Sequence, residues 1–277
     1  MKTKVLKSGI FVMAALLLLA ACSAADANPS APAAVGQEGF DSPEEAVAAY
    51  LEGLRDLDFD RMLNAFAVET YVEHFDLESF LDWLRIYDLR GVTMLPDAGG
   101  LATAINIEIR RGEVTHWIRA HYIFLTHPEL VMDRDYPEDI RIWHPIEEGG
   151  GADFVRAFSD VLNAPAFHNL EILGFIPPEH NELYASERNQ ENMARNAMVM
   201  GAEQLLSRIA VFELDGHKYF LMVDAVNYNG RWFLSRVGGN FAMAANISWD
   251  LNGLMMILPQ YMDMVSDNVL GNLVTEW

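Results

Sequence analysis

The sequence predicts an α+β fold, and three stretches of its 277 residues carry that expectation. A capped helical run begins at Asp41, and three apolar runs joined by Asp215-Gly216 and Asn229-Gly230 occupy Leu205 to Val237. Between them, Thr103 to Ile109 and Val114 to Leu125 are rich in β-branched and aromatic residues. Helices come first and the antiparallel meander comes late in the chain, the segregated order of an α+β protein.

The first helix has a start signal at every position that matters: Ser42 as N-cap, Pro43 at the first helical place and Glu45 closing a capping box. Val47, Tyr50, Leu51, Leu54 and Leu57 then fall on one face at helical spacing. Asp58 caps a second short helix carrying Met62, Leu63 and Phe66, and Asp76 a third carrying Leu77, Phe80, Leu81 and Leu84. The two β-rich runs after residue 102 flank Arg110, Arg111 and Gly112 and read as a hairpin. Residues 127 to 151, rich in Pro, Asp and Gly, read as a long loop. A short helix from Asp153 to Leu162 follows, then a strand from Phe167 to Ile176 that Pro177 and Pro178 end. From Glu179 to about Met200 the composition suits a helix, and no internal repeat is visible.

The two Asx-Gly turns favour the type I′ geometry whose twist matches antiparallel strands, so Leu205 to Val237 is predicted to be a three-stranded meander. Pairing outward from both turns puts Phe212, Leu214, Tyr219, Leu221, Val223, Ala225, Trp232 and Leu234 on one face, the core face. The other face holds Val211, Glu213, Lys218, Phe220, Met222, Asp224, Tyr228, Arg231, Phe233 and Ser235, a mixture of apolar and polar groups.

At the other end of the chain, Lys2, Lys4 and Lys7 precede an apolar run from Ile10 to Leu19 that is shorter than the ~20 residues a membrane-crossing helix needs. That is the pattern of an export signal. Leu19, Ala20, Ala21 and Cys22 resemble the lipobox of bacterial lipoproteins, in which cleavage before the cysteine follows its modification with diacylglycerol. The resemblance implies lipidation of Cys22, including palmitate-type acyl chains, and a protein anchored to the cell membrane on its extracytoplasmic side. Several acyl chains on one residue bind far better than one, since each buried CH₂ is worth ~0.8 kcal/mol. Residues 22–41, with Pro29 and Pro32, read as a flexible tether. The expected organisation is a signal peptide at 1–21, this tether, and an α+β domain at 42–277 with room for an inserted subunit at about 127–204.

Removing residues 1–21 takes away three lysines and no acid, leaving 16 basic and 40 acidic residues and a formal charge of −24. Such a charge excludes nucleic acid as a partner and repels anionic headgroups, so lipid on Cys22 makes the membrane contact. Lys218 is the one lysine left beside fifteen arginines, which narrows Schiff-base chemistry to that residue. Cys22 is the single cysteine, so the mature fold has no thiol for a disulfide, a nucleophile or a metal.

The stretch SPEEAVAAYLEGLRDLDFDRML resembles the first helices of exported nuclear transport factor 2-like, cystatin-like proteins, and YNGRWFL resembles their late strands. The resemblance implies N-terminal helices packed on a bent antiparallel sheet, a cone, here with insertions. In that class the cone forms a pocket, used by some members for acid-base catalysis and by others for binding, so fold does not choose function.

Each chemical candidate meets a plainer alternative. Asp224, with Ser235 opposite, could serve as a general base, yet an acid in a strand has no spacing rule behind it and is expected to be exposed or paired with a neighbouring strand. Tyr228 and Arg231 share its face and complete the candidate ligand-binding pocket. His116 and His121 are five apart, so in a strand they face opposite sides, which argues against a zinc site with His127 and Glu129. Asp133, Asp135 and Asp139 suggest a calcium loop, but the required Gly and Glu are replaced by Glu138 and His144. Asp56, Asp58 and Asp60 read as helix-junction residues. Met193, Met198, Met200, Met243, Met255, Met256, Met262 and Met264 read as core rather than a soft-metal site. Gly238 and Gly239 read as a strand exit. No catalytic residue, cofactor or metal is expected. The expected function is a membrane-tethered, non-enzymatic module that binds a small molecule or a protein; the alternatives are an enzyme of the same cone class using a carboxylate, and a structural envelope lipoprotein.

Overall fold

The structure is a computed structural model that describes residues 37–88, 90, 94–96, 99–126, 147–162, 167–238, 253–256 and 273–276, all within a unit spanning Gly36–Trp277. Cys22, His127, Glu129, the Asp133 to Asp139 group, His144, Met243, Met262 and Met264 lie outside the described residues. Helix α1 is Pro43–Asp56, with the Ser42 hydroxyl accepting from the Glu45 N–H at 3.0 Å and the Glu45 carboxylate accepting from the Asp41 N–H. Val47, Tyr50, Leu51 and Leu54 are buried, each worth about 1.5–3 kcal/mol of transfer free energy. Leu57, expected on that face, instead ends the helix at φ 55° with its side chain 44% exposed. Its left-handed backbone turns the chain, and Asp58 caps α2, Phe59–Asn64. An additional short helix, α3 at Glu69–His74, precedes α4 at Leu77–Leu84, which Asp76 caps as expected.

The predicted hairpin at 103–125 is instead a single helix, α5, Gly100–Thr126. Its buried residues are Asn106, Arg110, Val114, Ile118, His121 and Leu125, spaced at three or four, which is a helical stripe. Half of them are polar, so hydrophobic periodicity alone misses it. Each polar member has a partner: Asn106 brackets the Leu95 backbone at 2.8 and 3.1 Å, Arg110 donates to the carbonyls of Ala67 and Ser235, and His121 Nδ1 meets the Tyr50 hydroxyl at 2.6 Å. The Arg110 guanidinium also lies 4.5 Å from the Tyr71 ring centre and 5.3 Å from that of Trp117.

Helix α6, Gly151–Leu162, leads to strand β1, Glu171–Ile176, whose predicted first residues form a turn held by Leu170 N–H to Phe167 C=O. The predicted helix from Glu179 is broken into a 3₁₀ turn at Pro178–His180, α7 at Glu182–Ala185 and α8 at Glu187–Val199. Asn181 causes one break, because its side-chain oxygen accepts from the Leu183 and Tyr184 N–H groups and starts a new helix.

Strands β2, Gln204–Leu214, β3, His217–Tyr228, and β4, Arg231–Val237, form the meander, and both turns have the two positive φ values of type I′. The antiparallel order is β1-β2-β3-β4, with β5, Leu254–Met256, also pairing with β3. Phe212, Leu214, Tyr219, Leu221, Val223, Ala225 and Leu234 pack as expected with α1, α2 and α5. The opposite face, read as mixed, has a core of its own: Val211, Phe220, Met222, Tyr228 and Phe233 pack with Tyr184, Met193 and Ala197 of α7 and α8. The sheet is thus covered on both sides by helices, an α+β architecture. No helix among the described residues is long and apolar enough to cross a membrane.

Candidate functional site

The face of β3 that carries Asp224 holds the carboxylate expected from sequence to be the candidate base. Asp224 is fully buried; one carboxylate oxygen accepts from Ser207 Oγ at 2.6 Å and the other from Arg236 Nε at 2.8 Å. It is therefore paired with both neighbouring strands. The expected partner across β4, Ser235, is displaced because a β-bulge between Asp224 and Ala225 in the β3–β4 register brings Arg236 opposite the carboxylate. The Ser235 hydroxyl is buried without a hydrogen-bond partner. Nearby, the Tyr184 hydroxyl accepts from the Ser207 N–H at 3.0 Å, and burial pushes its phenol up, with the Asp224 and Glu179 charges adding to the effect. Such a trio compensates a buried charge; both carboxylate oxygens are engaged in holding the sheet.

The other two pocket candidates stand apart from it. Tyr228 lies four residues further along β3, about 13 Å at strand rise. It is buried, donates to the Met200 carbonyl at 3.0 Å, and its ring centre is 4.8 Å from that of His74. Burial pushes its phenol up as well. Arg231, at the start of β4, donates to the carbonyls of Glu38 and Gly39 at 2.8 and 2.6 Å and pairs with Asp41, so it fastens the segment that leads into α1. On the same sheet Arg208 is buried and pairs with Glu44 and Glu179, both at 2.7 Å. His116 is exposed and His121 buried, so α5 separates them as a strand would have done. Among the described residues no group of three or more His, Cys, Asp or Glu side chains could hold a metal.

The structure opens elsewhere. A groove of about 350 Å³ lies between the α1–α2 corner and α5, lined by Leu57, Phe59, Met62, Thr115, Ile118, Arg119 and Tyr122. That volume falls at the small end of ligand sites, which are apolar with a few placed polar groups. Thr115, Ile118, Arg119 and Tyr122 stand at i, i+3, i+4 and i+7 of α5, one face of the helix. Met62 and Ile118 are buried and form the floor, while Leu57 and Phe59 are 44% and 43% exposed and form a rim. The Thr115 hydroxyl already donates to the Arg111 carbonyl at 2.8 Å. Arg119 is exposed, and its Nη2 meets His116 Nδ1 at 2.8 Å. Behind the rim Arg55 and Arg61 pair with Asp56, and Arg61 also with Glu52. The hydrogen bond from Arg55, with the charges of Arg61 and His168, holds the Asp56 carboxyl below its ordinary range.

None of the seven groove residues was singled out as a site from sequence. Five of the seven are hydrophobic or aromatic, and the two lining segments are more than fifty residues apart. The available signal was the spacing of Thr115, Ile118, Arg119 and Tyr122, which becomes a face only when the segment is read with helical period.

No protein-family model matches the sequence, and no curated protein matches it. Among solved structures, a cystatin-like protein from Ruminococcus gnavus ATCC 29149 is a distant structural neighbour, with a TM-score of 0.36 at 15% identity over 69% of this chain. The match spans 38% of that protein's length.

Proposed function

We propose that this chain is a lipid-anchored, extracytoplasmic binding protein that holds an apolar small-molecule ligand in the groove between the α1–α2 corner and α5. The anchoring part rests on Leu19, Ala20, Ala21 and Cys22 behind a basic, apolar leader. The binding part rests on one observation: two large apolar side chains, Leu57 and Phe59, stand exposed at the rim of an apolar groove. Leu57 does so from a left-handed backbone that glycine would occupy without strain, and a bulky residue kept there against its backbone preference points to a use for its side chain. Asp224, the carboxylate best placed for catalysis, is closed into its pairs with Ser207 and Arg236, which favours binding over turnover.

Two measurements test the two parts separately. Labelled fatty acid is expected to enter the wild-type chain in a bacterial host and to be lost in Cys22→Ser; label retained in the mutant refutes the anchor. N-phenyl-1-naphthylamine, a neutral apolar fluorophore, is expected to brighten with saturable binding to the Cys22→Ser chain. Phe59→Ser is expected to weaken that binding at least fivefold while the far-ultraviolet spectrum stays unchanged. Binding that is absent, or indifferent to Phe59→Ser, refutes the groove.

A further inference from the structure

We infer that the occupant of this groove is a medium-length acyl chain ending in a free carboxylate, its head held by Arg119. The inference rests on the groove as the binding site and adds the chemistry of the ligand. A groove of about 350 Å³, open on one side, is at the small end of ligand sites and suits a single apolar chain of modest length. Of the lining side chains, Leu57, Phe59, Met62 and Ile118 offer no hydrogen bonds, Tyr122 adds an aromatic ring with one hydroxyl, and the Thr115 hydroxyl already donates to the Arg111 carbonyl.

A charge waits at one end. The chain is strongly acidic, with a formal charge of −21, and the arginines around the groove are mostly paired with acids: Arg55 and Arg61 with Asp56, and Arg111 with Glu69 at 2.9 Å. Arg119 differs. Among the described residues its polar contact is with His116 Nδ1, and no carboxylate stands within ion-pairing distance of it. That contact uses one Nη2 proton, so the other guanidinium donors of this exposed, groove-lining side chain are available to a ligand. A guanidinium fork matches a carboxylate with two parallel hydrogen bonds. An anion brought to Arg119 therefore supplies the counter-charge that its neighbouring arginines take from the protein, while its chain lies over Ile118 and Met62 towards Leu57 and Phe59.

The test titrates decanoate, decanol and decyltrimethylammonium, each below its micelle concentration or solubility limit, into the full chain carrying Cys22→Ser, with dissociation constants read by calorimetry. Decanoate is expected to bind about tenfold tighter than decanol, the size of one modest charge-assisted hydrogen bond, and the cationic amphiphile weakest of the three. Arg119→Gln is expected to remove the decanoate advantage and leave decanol unchanged. Its side chain is exposed, so folding is not at stake. Equal affinity for decanoate and decanol, or an advantage that survives Arg119→Gln, overturns the carboxylate inference and leaves the groove standing. Failure of all three amphiphiles, together with no effect of Phe59→Ser on the neutral fluorophore, overturns the groove itself.

Discussion

Breaking the Asp224–Arg236 pair from its two ends should have unequal costs, because the partners differ in their access to water. The Asp224 side chain is fully buried, whereas that of Arg236 is 31% exposed, and they meet at 2.8 Å. Arg236→Met leaves the Asp224 carboxyl group inside the sheet without its guanidinium. Removing one member of a buried pair costs roughly 3–5 kcal/mol; Ser207 still donates to the carboxylate at 2.6 Å, so the expected loss is near the lower end, about 3 kcal/mol. Asp224→Asn keeps the shape and the acceptor for Ser207, and takes the charged acceptor from a guanidinium that can still reach solvent. Its cost is that of a charge-assisted hydrogen bond, about 2 kcal/mol. The double variant should lose less than the sum by about 1–2 kcal/mol, the coupling expected of contacting residues. Urea unfolding followed by tryptophan fluorescence reads all three, and Arg236→Met should lower the midpoint by about 1 M at a slope of 2–3 kcal/mol/M. If Asp224→Asn proves the costlier change, or both singles fall within 0.5 kcal/mol of wild type by the usual surface standard, the account of the buried pair is wrong.

Gly112 sits in mid-α5 and a Cβ there would meet nothing within 4 Å, so Gly112→Ala should raise stability by about 0.5–1 kcal/mol in the same urea assay; destabilisation would restore the hairpin reading of that segment. Gly201 has φ +62° and a Cβ there would lie 2.0 Å from the His74 carbonyl oxygen, whereas Gly216 has φ +81° and open space around it. Both should suffer from alanine in a left-handed backbone, by about 1 kcal/mol, but Gly201→Ala should cost a further 1–3 kcal/mol for overpacking, and equal losses would refute the close approach of α3 to the turn after α8. Tyr219, stacked on Phe212 with ring centres 5.2 Å apart, has its phenol pushed up to about 12 by burial and the nearby Asp215 charge. A raised folded value means that the unfolded chain, titrating near 10, releases the proton first, so this contribution is whole below pH 10 and is lost as pH rises towards 12. Urea midpoints at several pH values in that window should fall less in Tyr219→Phe than in wild type, and parallel curves would sink the assignment.

What could be read from the sequence was chemistry that acts within a few residues. Ser42, Asp58 and Asp76 cap the helices they announce, and the two Asx-Gly turns set a meander whose core face matches the expected one residue for residue. Errors came where distant partners decide the outcome. The buried stripe of α5 includes Asn106, Arg110 and His121, which are satisfied by Leu95, Ala67, Ser235 and Tyr50; without those partners in view, alternating isoleucines look like a strand. Leu57 continues the apolar period of α1 by one step, yet the helix stops there with no glycine or proline to mark it. The meander's register could be counted from its turns only as far as the bulge, so Arg236 took the place assigned to Ser235. Of the site, Asp224 was expected to be exposed or paired with a neighbouring strand; it is paired with two strands and fully buried. The groove was not legible, since it exists only when residues 57–62 and 115–122 are brought side by side.

The polar half of the α5 stripe also bears on how many ways that helix can sit. A helix that docks through leucines alone tolerates a slip of one turn or a small rotation, because one methyl surface fits a neighbour about as well as another. Here a slip of one turn, about 5.4 Å, would carry Asn106 away from the Leu95 backbone, Arg110 away from two carbonyls and His121 away from Tyr50 all at once. Three directional contacts along one axis act like the teeth of a key and leave a single seating. The face that presents Thr115, Ile118, Arg119 and Tyr122 is thereby fixed by folding itself, so a ligand of the proposed groove would meet it already aligned.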